Sequence, residues 1–417
     1  MGADRSRSGG CARRGDPRVP RLGPHALAAG GHRRGRSRRA RALRANPFGD
    51  GVGVSPRDNP RILLVAGEAS GDLRGAELVR ELRALLPDVE VFGVGGEKLR
   101  AAGMQVLLPA SELSIMGITE VVGRLRIVLQ AFRRLRDVIR GEAPDVPRPD
   151  LVILIDFPDF NLRLAVAGRR AGVPVLYYVS PQVWAWRRYR IKTLARWVDH
   201  LAVVFPFEEE IYRGRAAVTF VGHPALETVH ATRSRDQVRR DLGLTSGRPV
   251  VALLPGSRKA EVELLLPVLR DALPLLGRPV DAVIALAEES LREEVAAIAP
   301  DVRAISGETY DLVAAADVVL VASGSASLET ALLGQPMVIV YRVSPVTYAL
   351  ARLLVRVPFF GMPNLILGKG AVPELLQGDA TPERVAAEAR AILDDPERAA
   401  RMRADLASVR SRLGEPG

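Results

Sequence analysis

L-V-I-L-I-D-F-P-D-F-N, residues 151–161, is the stretch that decides the fold. Five apolar residues, Leu151 to Ile155, read as a strand buried on both faces, as in a parallel sheet covered by helices on each side. The chain then sets Asp156 at the strand's carboxyl end, where open α/β sheets place their ligand crevice. Pro158 follows, with Asp159 and Asn161 available to cap the next helix. A carboxylate at a strand tip beside Phe157 and Phe160 is a candidate general base. The competing reading, an Asp that only caps a helix, suits Asp159 better than Asp156.

Outward from this stretch the pattern is strand, loop, helix, repeated. Towards the N-terminus, Arg61–Ala66 and Val89–Val94 read as strands and Asp72–Leu86 as a helix. A short helix is predicted from Gly96 to Ala102, and a long amphipathic one over Thr119–Arg140. Beyond 161 come a helix to about 171 and strands at Val173–Val179, His200–Val204 and Val218–Val221. Residues 222–247 read as a hinge with a helix at Asp236–Leu242. A second series then opens, with strands at Pro249–Leu254, Asp281–Leu286, Val302–Ile305, Val318–Val321 and Pro336–Tyr341, and helix after about 381. Alternation of this kind implies α/β architecture: two Rossmann-like domains facing a cleft, over 59–222 and 223–417.

Length and charge agree with that division. A chain of 417 residues is too long for one ordinary core. Its net charge of +11 suggests nucleic acid until it is mapped. Residues 1–60 hold fourteen Arg against four Asp, ten of those charges, so the rest carries about one. The basic character belongs to an Arg-, Gly- and Pro-rich tail, residues 1–58, with one aromatic and no apolar run. That composition predicts disorder: a translation start set too far upstream or a dispensable extension, or else an RNA- or membrane-binding arm. No nucleic acid is expected on the folded body. The single cysteine, Cys11, lies in the tail, which leaves no cysteine-based metal site or disulfide. No secretory signal and no run of about 18 apolar residues is present, which favours a cytoplasmic location.

Three loops carry chemistry. V-A-G-E-A-S-G-D, residues 65–72, follows a strand and opens a helix. Gly67 and Gly71 permit the turn, Ser70 and Asp72 can cap the helix, and Glu68 stands between them. It is neither G-x-G-x-x-G nor a P-loop, and a plain sharp turn reads equally well. L-L-P-G-S-R, residues 253–258, occupies the equivalent place in the second half. Gly256 and Ser257 would present a helix N-terminus, and Arg258 a two-pronged grip on phosphate, so a diphosphate is the natural ligand. Glu261 and Glu263 either reach a sugar hydroxyl or complement the helix dipole. A-S-G-S-A-S-L-E-T, residues 322–330, repeats the design. Ser323, Gly324 and Ser325 allow close approach, and Glu329 either holds a ribose or faces solvent. With no Asp-x-Asp and five scattered histidines, no metal is expected, and His223 reads as a hinge residue.

Two segments point towards lipid. The helix at 119–140 sets Val121, Val122, Leu125, Val128, Leu129, Phe132, Leu135 and Ile139 on one stripe among six arginines. Such a helix lies on an anionic bilayer or packs on a sheet. Met116 and Ile118, just before it, tilt the reading towards lipid. The loop S-P-Q-V-W-A-W-R, residues 180–187, brings two Trp to stack a sugar, line an acyl groove or fill a core.

Taken in order, these motifs resemble those of lipid-A-disaccharide synthase. The resemblance continues through M-G-I-T-E-V (116–121), F-V-G-H-P (220–224), Y-R-V-S-P (341–345) and P-N-L-I-L-G (363–368), and covers about 61–410. It implies a two-Rossmann GT-B glycosyltransferase of lipopolysaccharide assembly in a Gram-negative cell. The enzyme would join UDP-2,3-diacylglucosamine to 2,3-diacylglucosamine 1-phosphate (lipid X), releasing UDP and forming a β-1,6 disaccharide. It would work with inversion, without metal or other cofactor, peripherally on the inner face of the inner membrane. The resemblance further implies Asp156 as base, and Arg258 and Glu329 at the nucleotide with Asn364 nearby. Residues before 61 fall outside the family pattern, and the chain is expected to end about one helix short of it. Rival readings are another GT-B enzyme, such as a UDP-N-acetylglucosamine 2-epimerase or a different glycosyltransferase, or an Arg-rich nucleic-acid-binding protein.

Overall fold

The computed structural model describes residues 59–113, 121–181, 183, 189–344, 348 and 357–415. The Arg-rich tail, Met116, Ile118, Trp184 and Trp186 lie outside the described residues, as do the side chains of Val121, Val122 and Leu125. The compact unit Val54–Gly417 holds two sheets, every strand pair in them parallel.

The first sheet contains β1 (Arg61–Ala66), β2 (Glu90–Gly95), β3 (Gln105–Pro109), β4 (Leu151–Ile155), β5 (Val175–Tyr178), β6 (His200–Val203) and β7 (Val218–Phe220). Their spatial order is β3-β2-β1-β4-β5-β6-β7. The second contains β8 (Val250–Leu254), β9 (Asp281–Leu286), β10 (Arg303–Ser306), β11 (Val318–Ala322), β12 (Met337–Tyr341) and β13 (Glu374–Leu376), ordered β10-β9-β8-β11-β12-β13. In each sheet the order reverses beside the first strand, between β1 and β4 and between β8 and β11. Connections leave such a point towards opposite faces, so the carboxyl ends part and leave a crevice.

The sequence dictates this burial. In β1, Leu63 and Val65 pack on one face with Leu135 and Ile139 of the helix Val121–Arg140, while Ile62, Leu64 and Ala66 pack on the other with Ala76 and Val79 of the helix Ala69–Leu85. Strands β8 and β11 are buried at every position, as unbroken apolar runs require. The core of the second sheet extends to Val204, Phe205, Leu226 and Val229 in the segment joining the sheets. Helix Pro396–Arg412 returns to that segment: the His223 amide donates to the Leu413 carbonyl at 3.1 Å, and Arg410 to the Leu226 carbonyl at 3.2 Å.

Two expected features differ. Edge strands β3 and β13 were not evident in the sequence, and the stripe on Val121–Arg140 is only partly covered. Of the stripe, Leu135 and Ile139 are buried but Leu129 is 41% exposed; Ile127, off the stripe, is 40% exposed.

Candidate active site

Asp156 directly follows the β4 residue Ile155, which pairs with Ala66 at the end of β1, so it stands at the first crevice. The backbone there is strained. Asp156, Phe157 and Val179 have φ of 45°, 49° and 60°, the left-handed region that side chains with a Cβ avoid. Three contacts impose the turn. Asn161, fully buried, donates its amide to the carbonyls of Asp156 (2.8 Å), Ile155 (3.2 Å) and Val65 (3.4 Å). The buried Tyr177 hydroxyl donates to the Asp156 carbonyl at 2.6 Å. Gly67 leaves room for the Phe157 ring, which a Cβ would meet at 2.4 Å.

The result is a half-buried carboxylate whose pKa is pushed up to about 6. Burial is the main cause, because the charged form loses water; the Glu68 charge adds to it, and the Phe157 amide and Arg74 partly offset it. A carboxylate held near 6 can accept a proton at neutral pH and is a stronger base than an ordinary one.

The expected acceptor loop separates into parts. Glu68 lies close enough to Asp156 for their charges to interact, and Ser70 is exposed nearby. Gly71 is buried tightly on Ala66 and Ile155. Asp72 corrects the sequence reading: it does not cap its own helix. Its carboxylate accepts from the amides of Gly96 (2.6 Å), Lys98 (3.1 Å) and Leu99 (3.2 Å), capping the helix Glu97–Ala101. Neither Asp159 nor Asn161 caps the helix Pro158–Arg170, whose N-cap is Phe157; Asp159 instead pairs with Arg190.

In the second crevice Gly256 (φ 121°) turns the chain into the helix Lys259–Ala272. Glu261 accepts from the Ser257 amide at 2.9 Å and from Arg258 at 3.1 Å, the dipole-complementing alternative; Glu263 faces Lys259. Arg258 is otherwise open, its side chain 75% exposed. Gly324 (φ 151°) and exposed Ser325 begin the helix Ser325–Leu332, and the Ser323 hydroxyl donates to the Phe360 carbonyl at 3.1 Å. Glu329 is half-buried rather than solvated, and burial raises its pKa. Asn364 departs from the expected nucleotide contact. Its amide donates to the Val372 carbonyl and Glu374 and accepts from the Ala371 and Val372 amides, all at 2.7–3.0 Å, so it holds a loop from inside. Glu374 in turn accepts from the amides of Phe360 and Gly361.

Arg258 and Glu261 group with Tyr341, which their charges reach and which stacks on Phe360, whereas Asp156 and Glu329 share the charge of Arg74. Sequence reasoning missed Arg74, the Asn161 clamp, Tyr177 and the Tyr341–Phe360 pair. Only Asn161 carried a signal, an amide six residues after a buried strand. The others depend on contacts between distant segments.

Residues 62–415 match the lipid-A-disaccharide synthetase family. Similar curated proteins are the lipid-A-disaccharide synthases of Syntrophus aciditrophicus, 46% identical over 85% of this chain and 94% of that protein, and of Myxococcus xanthus, 45% identical over 86% and 94%. The chain belongs to the lipid-A-disaccharide synthase family. It is therefore a glycosyltransferase, a hexosyltransferase of lipid A disaccharide formation. Solved structures support the fold of this synthase. They include a UDP-GlcNAc 2-epimerase from Neisseria meningitidis bound to UDP-GlcNAc (TM-score 0.56, 14% identity, 82% of this chain and 94% of that one). The calicheamicin glycosyltransferase CalG4 is another (TM-score 0.51, 16% identity, 85% and 95%). The sheet pair is thus of the GT-B type, and neither the epimerase nor the nucleic-acid reading is favoured.

Proposed function

We propose that the enzyme transfers 2,3-diacylglucosamine from its UDP derivative to the 6-hydroxyl of lipid X, with Asp156 as the single base. Asp156 takes the hydroxyl proton as that oxygen attacks the anomeric carbon from the face opposite UDP. The bond to the diphosphate breaks, UDP leaves with its electron pair, and the configuration inverts. Residues 59–222 hold the acceptor, with Glu68, Ser70 and Gly71 lining its side. Residues 223–417 hold the UDP-sugar. The amides at Gly256–Ser257 and Gly324–Ser325, with Arg258, receive the leaving charge where preorganised donors act most strongly; the Ser323 amide is already given to the Val340 carbonyl. Glu261 releases the Ser257 amide when the diphosphate arrives, and Glu329 accepts from the ribose hydroxyls. Exposed Leu129, beside Arg126 and Arg133 on the same side of its helix, belongs to a face that meets the inner-membrane surface, where the acylated substrates reside; Met116, Ile118, Val121, Val122 and Leu125 extend it in the sequence.

The observation that carries this reading is Asp156 itself: a strained carboxylate at the crevice, with its proton affinity raised by burial. Asp156→Asn is expected to cut turnover of the two diacylated sugars by roughly 10²–10⁴-fold while UDP affinity stays within twofold or so. Wild-type turnover in that variant would remove Asp156 as the base.

A further inference from the structure

Arg74 lies on the second turn of the helix Ala69–Leu85, which opens at the first crevice. Gly71 and Gly75 seat that helix tightly against the sheet: a Cβ at Gly71 would lie 3.3 Å from Ala66, and one at Gly75 3.2 Å from Ile155. Close seating keeps residue 74 near the carboxyl edge, beside Asp156. Its Nη1 is buried and has no hydrogen-bond partner among the described residues. A guanidinium N–H taken from water without an acceptor is costly, and proteins seldom leave one so.

The surroundings of Arg74 explain what it faces. Its charge reaches Glu77, Asp156 and Tyr178 in the first half, His223 in the joining segment, and Glu329 and Tyr310 in the second, so the guanidinium is within electrostatic range of both crevices. Carboxylates are near, yet none forms an ion pair with Arg74 among the described residues. A planar cation with an unused N–H, in electrostatic range of the base and of the nucleotide crevice, matches the oxygens of a phosphoryl group.

We infer that Arg74 is a substrate-binding residue that donates from the acceptor side to a phosphoryl group in the gap, either the diphosphate of the sugar donor or the 1-phosphate of the acceptor. The inference rests on the nucleotide-sugar reading of the cleft. Its test reads binding, so a failure of the Asp156 prediction would leave it standing.

The experiment is calorimetric titration of the full chain, Arg74→Met and Arg74→Lys with UDP and with uridine, alongside the KM for the phosphorylated acceptor. If the donor supplies the phosphoryl group, Arg74→Met weakens UDP about 10–100-fold and leaves uridine unchanged, with part of the loss recovered in Arg74→Lys. If the acceptor supplies it, UDP affinity holds and the acceptor KM rises by a similar factor at constant kcat. The lysine variant keeps the charge and serves where the methionine variant fails to fold. The proposal falls if UDP-to-uridine preference and acceptor KM both stay at wild-type values, including the case in which only the pH–rate profile moves and Arg74 merely tunes Asp156.

Discussion

At the scale of the residue, Asp156 trades stability for basicity. Its folded pKa of about 6 lies above the ordinary 3.8, so the native state prefers the protonated form more than the unfolded chain does. The stability this confers is complete below about pH 4 and is lost as pH rises through 6. At pH 7 the native enzyme therefore holds a desolvated carboxylate at a cost. Asp156→Asn, already neutral, should be more stable than wild type by about 1–3 kcal/mol at pH 7 and no more stable below about pH 4. Urea unfolding at the two pH values checks this, and equal gains at both would contradict it. With Asp156 as the proposed base, the same protonation would govern turnover: wild-type kcat/KM should fall about tenfold per pH unit below 6, and the residual rate of the variant should lack that limb. Loss of stabilisation where a base must be exposed to its substrate is the expected trade at a working site.

At the scale of the element, Asp72 shows both what the sequence reveals and where it stops. Its position after a glycine at a helix start suggested a cap, and a cap it is, but for the helix Glu97–Ala101. Asp72→Ala should cost about 1–2 kcal/mol in thermal or urea unfolding while leaving UDP affinity unchanged. A loss of UDP binding without loss of stability would return Asp72 to the site. The partner of a cap is settled by packing between elements, which local spacing does not contain. Central strands were legible for the opposite reason. The runs Leu151–Ile155 and Val318–Val321 are buried on both faces, and their composition alone announces it. Among the edge strands, β7 and β10 were legible through the apolar residues of Val218–Val221 and Val302–Ile305, whereas the partly buried β3 and β13 open on Gln105 and Glu374 and carry no such run. The glycine loops were legible as strand-to-helix turns because a strand, a turn and a helix N-terminus follow directly in the chain. That Glu261 occupies the Ser257 amide, and that Asn364 is consumed inside the fold, depends on side chains meeting after folding.

At the scale of the whole molecule, charge and apolar exposure are segregated, and this separates two ways of reaching a membrane. About ten of the eleven net positive charges lie in residues 1–60, whereas the exposed pair Ile127 and Leu129 belongs to the body. Attraction through an arginine-rich segment is electrostatic and fades steeply with salt, since each contact releases a counterion. Insertion of apolar side chains among arginines is far less salt-sensitive. The family match spans 62–415, so a 59–417 fragment is expected to keep wild-type turnover on detergent-dispersed substrates. On anionic vesicles the full chain should lose most of its excess binding between about 50 and 200 mM salt, and the fragment should keep a weaker, flatter component. Leu129→Asp should abolish that remaining component without lowering turnover in detergent. Sedimentation with vesicles across a salt series reads both effects. A fragment that no longer sediments at low salt, or a Leu129→Asp variant that sediments like its parent, would place membrane contact elsewhere than on the Leu129 side of the helix Val121–Arg140.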